Sequence, residues 1–202
     1  MESLERHEEL VRGCSLCFAG GGNTPVVDVA KEVRVLLVAQ EPGVTDVSTG
    51  LPFTGPAGKR LEGWFEEAGV SRREIYLSAL ARCFPGKAPG GGDRAPSRAM
   101  IANCRPHLPR EFEPLRPEVV APVGGLAVRE LLGIGRLSEA VGETILRDEV
   151  VYVPLPHLSG ASTWLNLPEN RGRLFRALAE LGRLVADGRI GGSGARARRL
   201  EN

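Results

Sequence analysis

The sequence lacks any apolar run of membrane-spanning length. Its hydrophobic residues, 42% of the chain, are dispersed among 25% charged ones, and nowhere do they approach the roughly 20 consecutive apolar residues that a bilayer span requires. A signal-peptide pattern is lacking too: the N-terminus, MESLERHEEL, is acidic and polar where a leader would be basic and then apolar. The expectation is a cytoplasmic protein with no membrane partner. Net charge is scarce. Lys and Arg number 26 against 25 Asp and Glu, leaving +1. No global cationic field exists, so any nucleic acid must be held by a local basic patch. Cysteine is sparse at four residues, and in a reducing compartment these are not expected to form two disulfides. No G-x-G-x-x-G fingerprint follows the first apolar run, which argues against a dinucleotide-binding site there.

What is present is the composition of a globular protein, and 202 residues suffice for one domain with a full core. That domain is expected over 1–190, followed by a flexible basic tail over 191–202. The expected oligomeric state is a monomer. The chain is organised around residues 33–61. Val33, Val35, Leu36, Leu37 and Val38 form a short, β-branched apolar run that reads as a buried strand. It ends in Gln40-Glu41-Pro42-Gly43, where proline removes a backbone donor and glycine permits a turn. A second punctuated loop, Gly50-Leu51-Pro52-Phe53-Thr54-Gly55, leads into a helix that starts at Pro56 and stops at Gly69. An acid at the end of a strand, followed by a rigid loop with one aromatic, is how open α/β sheets build a ligand crevice.

The remaining elements repeat the pattern. An amphipathic helix over Ser3–Arg12 delivers Cys14-x-x-Cys17 into the glycine run Gly20-Gly21-Gly22. A second strand, Ile75–Ala81, ends at Arg82-Cys83-Phe84-Pro85, and the stretch 86–96, GKAPGGGDRAP, reads as a mobile surface loop. Ser97 caps a helix carrying Cys104. A third strand, Glu118–Val123, turns at Gly124-Gly125 into another helix. A fourth, Val150–Pro154, ends at Pro156-His157-Leu158-Ser159, and Leu174–Val185 is the last long helix. Strands alternating with helices imply right-handed crossovers. The predicted fold class is α/β, a three-layer α/β/α arrangement around a central four-stranded, mostly parallel sheet. The ends of strands one, two and four then bring Gln40 and Glu41, Arg82 and Cys83, and His157 to one edge.

The cysteines leave three readings open. Two thiols close in sequence and two brought in by the fold suit a four-sulfur iron–sulfur site. Zinc also accepts four cysteines, usually as two close pairs, and four unrelated buried thiols would be ordinary.

Taken together, Cys14-x-x-Cys17, Gln40-Glu41-Pro42-Gly43, Gly50-x-Pro52-Phe53-x-Gly55, Arg82-Cys83-x-Pro85, Cys104 and His157-x-Ser159 resemble the uracil-DNA glycosylase superfamily. The likeness is closest to its iron–sulfur branches, families 4 and 5, and extends from Cys14 to about Leu184. It implies a DNA-repair hydrolase that removes uracil, and in the broader family 5 other deaminated bases too, from DNA by activated water. It further implies a [4Fe–4S] cluster of structural role on Cys14, Cys17, Cys83 and Cys104, and uracil-containing DNA, single- or double-stranded, as partner. The chain departs from family 4 in three places. Ala39-Gln40-Glu41-Pro42-Gly43 stands for Gly-Glu-Ala-Pro-Gly, nearer to the Gln-Asp-Pro of family 1. Ala79 stands where family 4 has an Asn reading the uracil edge, and Leu158 stands for the Pro of His-Pro-Ser. The second departure points to a wider range of bases.

The chemistry assigns roles. Breaking a base–sugar bond develops positive charge on the sugar and negative charge on the base, so it needs a carboxylate at one and a donor at the other. Glu41 is the candidate carboxylate, with Asp46 in reserve, and His157 as a neutral imidazole is the candidate donor. Phe53 offers a stacking face for an extruded base, and Gln40, Gly43, Ala79 and Ser159 line the substrate site. Leu158, Trp164 and Leu165 are candidate wedges into the duplex, and Lys87, Arg94, Arg171 and Arg173 are candidate phosphate contacts. The alternatives are a catalytically inactive iron–sulfur module of the same fold that binds nucleic acid, or a redox protein.

Overall fold

The structure, a computed structural model, describes residues 2–18, 24–29, 33–160, 162–187 and 197–200. The glycine run Gly20–Gly22 and most of the tail, 191–196 and 201–202, lie outside the described residues.

Three apolar runs make the centre of the sheet: β1 (Val35–Ala39), β2 (Ile75–Ala79) and β3 (Val119–Pro122). β1 is buried along its whole length and pairs in parallel with β2 on one side and β3 on the other. Burial on both faces is why these segments read as continuous Val/Leu/Ile runs rather than alternating ones. β5 (Val150–Tyr152) adds to β3 in parallel, and β4 (Ile145–Arg147) pairs with β5 antiparallel. β6 (Arg198–Arg199) completes the order β2-β1-β3-β5-β4-β6. Among the described residues the sheet therefore has six strands, not four. The two unforeseen strands, β4 and β6, have only three and two residues, and part of the tail expected to be flexible lies against β4. β4 and β5 are joined by a tight turn in which Asp148 and Glu149 both take positive φ, 49° and 63°. Neither residue is a glycine, so the usual hairpin signal was missing.

Helices cover both faces. On one, α3 (Pro56–Ala68) packs with α7 (Pro168–Asp187), and Leu61, Trp64 and Phe65 meet Leu174, Leu178 and Leu181. These two helices approach so closely that a Cβ on Gly182 would fall 2.0 Å from the Ala68 carbonyl oxygen. The other face carries α1 (Glu2–Arg12), α4 (Arg98–Cys104), α5 (His107–Leu115) and α6 (Gly124–Leu132). There Leu4, Ile101 and Val128 pack on Leu36, Val38, Tyr76 and Val120. A short helix, α2 (Val44–Thr49), follows β1 directly. The three-layer α/β/α class holds. Because β2 and β3, the next two strands in the chain, lie on opposite sides of β1, the strand order reverses at β1. Crevices in such sheets lie outside the carboxyl ends of the strands at that reversal, which here means the residues after Ala39 and Pro122.

Candidate active site

The first wall is the loop after β1. Asp46, in α2, is buried and ties the loop shut. Its Oδ2 accepts from the Gly43 N–H at 2.9 Å, and its Oδ1 accepts from the Thr54 N–H at 2.7 Å and the Thr54 hydroxyl at 3.0 Å. The carboxylate foreseen as the reserve catalytic group thus has both oxygens committed to backbone and hydroxyl donors. It joins the two ends of the loop.

Glu41 is the contrary case. Its Oε2 is buried with no hydrogen-bond partner among the described residues. Burial first, and the negative charge of Asp93 second, push its carboxyl up to about 7. A carboxylate poised near neutrality is suited to proton transfer at ordinary pH.

The second wall is the loop carrying Phe53. That residue has φ 59°, a left-handed conformation that costs a non-glycine residue about 1–2 kcal/mol. It is held there by close packing: a Cβ on Gly58 would lie 1.7 Å from the Phe53 carbonyl oxygen. Glu41, Pro42, Phe53, Ser78, Ala79 and Arg82 line a narrow, partly open space of about 20 Å³, room for about one water molecule. Admitting a base requires these walls to part.

The third wall follows β5. His157 is half-buried, and its Nδ1 accepts from the Ser159 N–H at 3.0 Å. In the neutral ring the proton therefore sits on Nε2, free to be donated, and burial lowers the pKa so that the ring stays neutral. His157 lies outside the space lined by Glu41 and Phe53, and Gly124 stands between its ring and Gln40. At φ 84°, it stands where a Cβ would be 2.8 Å from Gln40 Nε2 and 2.9 Å from His157 Cδ2. The ends of β1, β3 and β5 thus bring Gln40, Gly124 and His157 together. Arg60, on α3, braces the same loop: its Nη1 donates to the carbonyls of Leu158 at 3.0 Å and Ser159 at 3.1 Å. Neither Gly124 nor Arg60 was foreseen as a site residue. A glycine directly after a strand at the reversal point was the available signal; for Arg60, one cation among many on α3, there was none.

The floor is a buried polar network. Arg82 Nη2 donates to Glu111 Oε1 at 2.7 Å and to Ser78 Oγ at 3.0 Å, and the Ser78 hydroxyl donates to Glu111 Oε2 at 2.6 Å. Ala79, half-buried beside it, leaves the pocket wall without a side-chain amide.

Arg82 also leads to the cysteines. Cys83 and Cys104 are buried, and Cys14 and Cys17 half-buried. The Arg82 N–H reaches Cys104 Sγ at 3.5 Å, and Asn103 Nδ2 reaches Cys17 Sγ at 3.6 Å. Burial, then the charges of Cys104, Cys17 and Cys14, push the Cys83 thiol up to about 12, so the four thiols share one electrostatic neighbourhood. Among the described residues, no three His, Cys, Asp or Glu side chains are drawn up around the position of a single metal ion. As a donor set, four thiols with N–H groups directed at two of them suit a metal–thiolate centre.

Residues 27–180 match the uracil DNA glycosylase superfamily. The chain belongs to that superfamily. Among curated relatives, the Type-4 uracil-DNA glycosylase of Pyrobaculum aerophilum is 26% identical over 143 residues, covering 69% of this chain and 70% of the relative. The Type-4 uracil-DNA glycosylase of Sulfurisphaera tokodaii is 24% identical over 193 residues, covering 90% of this chain and 86% of the relative. The likeness to family 4 read from the motifs is thereby supported.

Two expectations for the DNA face of this superfamily member need correction. Leu158 is 4% exposed and belongs to the core beneath the His157 loop, so its side chain is not presented at the surface as a wedge would be. Trp164 and Leu165 are partly buried against the same core, held by Asn170 and Arg171, whose side chains donate to the carbonyls of Trp164 and Leu165. The stretch 86–94 is a closed hairpin rather than a mobile loop. Lys87 Nζ pairs with Asp93 Oδ1 at 2.6 Å and Arg94 Nη2 donates to the Lys87 carbonyl, so both proposed phosphate contacts already have partners.

Proposed function

We propose that this protein is a uracil-DNA glycosylase that hydrolyses the base–sugar bond of uracil in DNA. One observation carries the reading most of the way: at the end of the central strand stands a buried carboxylate oxygen, Glu41 Oε2, with no hydrogen-bond partner among the described residues. Leaving such an atom unsatisfied costs about 1–3 kcal/mol or more, and the family to which the chain belongs gives that cost a purpose.

In this reading the target nucleotide is extruded from the stack and its base enters beside Phe53 as the pocket opens. Glu41, ionised, orients a water towards the sugar carbon and offsets the positive charge growing there. His157 donates its Nε2 proton in a hydrogen bond to a carbonyl oxygen of the departing base, where negative charge grows. The Ser159 N–H and Arg60 fix the ring's tautomer and the loop's path. Gln40, beside Gly124, adds a polar group at the pocket rim. With Ala79 in place of an amide, the range of bases extends beyond uracil. Nothing in the constellation requires a covalent lysine intermediate.

Cys14, Cys17, Cys83 and Cys104 would hold a [4Fe–4S] cluster. Such a cluster is larger than a single ion, which accords with thiols that share a neighbourhood without closing on one point. Bound there, it would supply structural cross-linking between the end of α1, the β2 end and α4. Arg82 stands between that centre and the pocket floor and holds both in place.

The test is direct. Protein purified anaerobically is incubated with an oligonucleotide carrying a single uracil, free base is quantified, and iron and the visible spectrum are measured on the same sample. Free uracil with an alkali-labile site, from brown protein with about four irons per chain, is expected. Tight DNA binding without base release would identify the inactive module instead.

A further inference from the structure

The hairpin over 86–94 has no role in the account so far, and its geometry gives it one. Its legs are locked by the Arg94 N–H to the Gly86 carbonyl at 2.9 Å and by the Ala88 N–H to the Gly92 carbonyl at 3.1 Å. Lys87 faces Asp93 across it as a bridge and an ion pair. Asp93 has two neighbours of different kinds. Its Oδ1 takes the Lys87 ammonium, while its Oδ2 lies 3.4 Å from where a Cβ on Gly43 would sit. The hairpin therefore lays a second carboxylate against the Glu41–Gly43 turn, with its counter-ion on the solvent side.

The charged groups around Glu41 come from three sources. Arg82 and Glu111 in the pocket floor are both buried and bonded to each other at 2.7 Å, so their fields largely cancel. Asp46 has its position fixed by the three donors already described. Among the described residues, the ion-pair partner of Asp93 is Lys87, whose side chain is 55% exposed and whose charge water and salt therefore screen. Of these groups, Asp93 is the one whose influence on Glu41 can be changed without dismantling the pocket.

We infer that Asp93 is a positioning residue: placed by the hairpin and tempered by Lys87, it adjusts the ionisation state of Glu41 beyond what burial alone imposes. A nearby anion disfavours the carboxylate form, and a cation on that anion relieves the effect. The direction agrees with the upward push that Asp93 exerts on Glu41. The hairpin thereby ties the pH range of the reaction to a surface ion pair. The kinetic form of this inference rests on Glu41 acting as proposed above; its charge-state form does not.

The experiment compares wild type, Asp93→Asn, Lys87→Gln and the double variant, all as full-length protein with the iron content checked. Single-turnover uracil release is measured from about pH 5 to pH 9, and the Glu41 carboxyl is titrated by carbon NMR. In Asp93→Asn both the acid limb of the rate and the NMR titration should move down by about 0.5–1 pH unit, a gain of about 3–10-fold in rate on the acid limb. In Lys87→Gln both should move up, and the double variant should follow Asp93→Asn. Unchanged titrations in both single variants, or shifts of the same sign in both, overturn the inference. So does a change in DNA affinity alone, which would make the pair a DNA contact. If the NMR titration moves as stated while the rate profile stays put, Asp93 governs Glu41 but Glu41 is not the reacting carboxylate. The failure then belongs to the proposed function.

Discussion

The backbone N–H of Ser159 donates to His157 Nδ1 at 3.0 Å. That bond decides which ring nitrogen can act: Nδ1 is occupied as an acceptor, so the neutral ring carries its proton on Nε2. Arg60 then fixes the peptide on either side of the bond by holding the carbonyls of Leu158 and Ser159. A lone histidine in the sequence becomes a directed donor through its neighbours' backbone.

Gly124 is the contact point between the two halves of the site, and adding a methyl there tests it. The φ of 84° and the contacts of 2.8 Å and 2.9 Å to Gln40 and His157 are both incompatible with a Cβ. Gly124→Ala should lower uracil release about 10–100-fold, since small misplacements of catalytic groups are costly. Stability should fall by about 1–2 kcal/mol. Gly125→Ala, with nothing within 4 Å, should be close to wild type in both measurements.

Glu41 should make the protein less stable as pH rises. Its folded-state carboxyl is raised to about 7 from an ordinary 4.5. The folded state therefore holds the proton more tightly, and the stability this provides is present below about 4.5 and lost as pH climbs through about 7. Glu41→Gln removes the dependence. In thermal melts its advantage over wild type should be small near pH 4.5 and grow to several degrees at pH 8, where each kcal/mol corresponds to about 2–4 °C. An active-site residue whose removal stabilises the fold is the expected trade. An advantage that does not vary with pH would show that Glu41 titrates normally.

Asp46 should behave in the opposite way. Asp46→Ala deletes the acceptor of three hydrogen bonds and should lower stability by about 2–4 kcal/mol. Asp46→Asn, which retains one acceptor oxygen, should lose less. Excision by either variant, measured well below its melting temperature, should retain the pH profile of wild type, since both carboxylate oxygens are committed to donors of the loop.

The fold was legible where burial wrote it into the chain. Val35–Ala39, Ile75–Ala79 and Val119–Pro122 are buried strands and read as such, and Pro56 and Gly69 mark the ends of α3. Val150–Tyr152 was read as well, within the apolar run Val150–Pro154; β4 and β6 have only three and two residues, and a strand that short carries almost no periodicity. In the site, Glu41, Phe53 and His157 could be read because strand ends and turn residues announce them. Asp46, Gly124, Arg60 and Asp93 could not be given their parts, because each depends on a partner distant in the chain or on a backbone angle. Leu158 was misjudged for the same reason: its place next to His157 suggested the surface, but the loop turns its side chain into the core.

Ala79 should widen the range of bases. An amide there would reject bases with the opposite donor–acceptor pattern, since a mismatched buried amide costs about 1–3 kcal/mol. The half-buried alanine in the pocket wall imposes no such filter. Wild type should release hypoxanthine or xanthine at a measurable rate, and Ala79→Asn should narrow the range towards uracil. Matched oligonucleotides under single-turnover conditions decide it, and uracil release with no detectable purine release by wild type means the idea is wrong.

The central claim is that Glu41 and His157 divide the two developing charges between them. The measurement that tests it most directly is the single-turnover rate of uracil release by wild type, Glu41→Gln and His157→Ala at pH 8, alongside their affinity for uracil-containing DNA. Each substitution should slow release by about 10²–10⁴-fold while leaving affinity nearly intact. Wild-type rates in Glu41→Gln, or iron-replete wild-type protein that binds uracil-containing DNA and releases no base, would contradict the account.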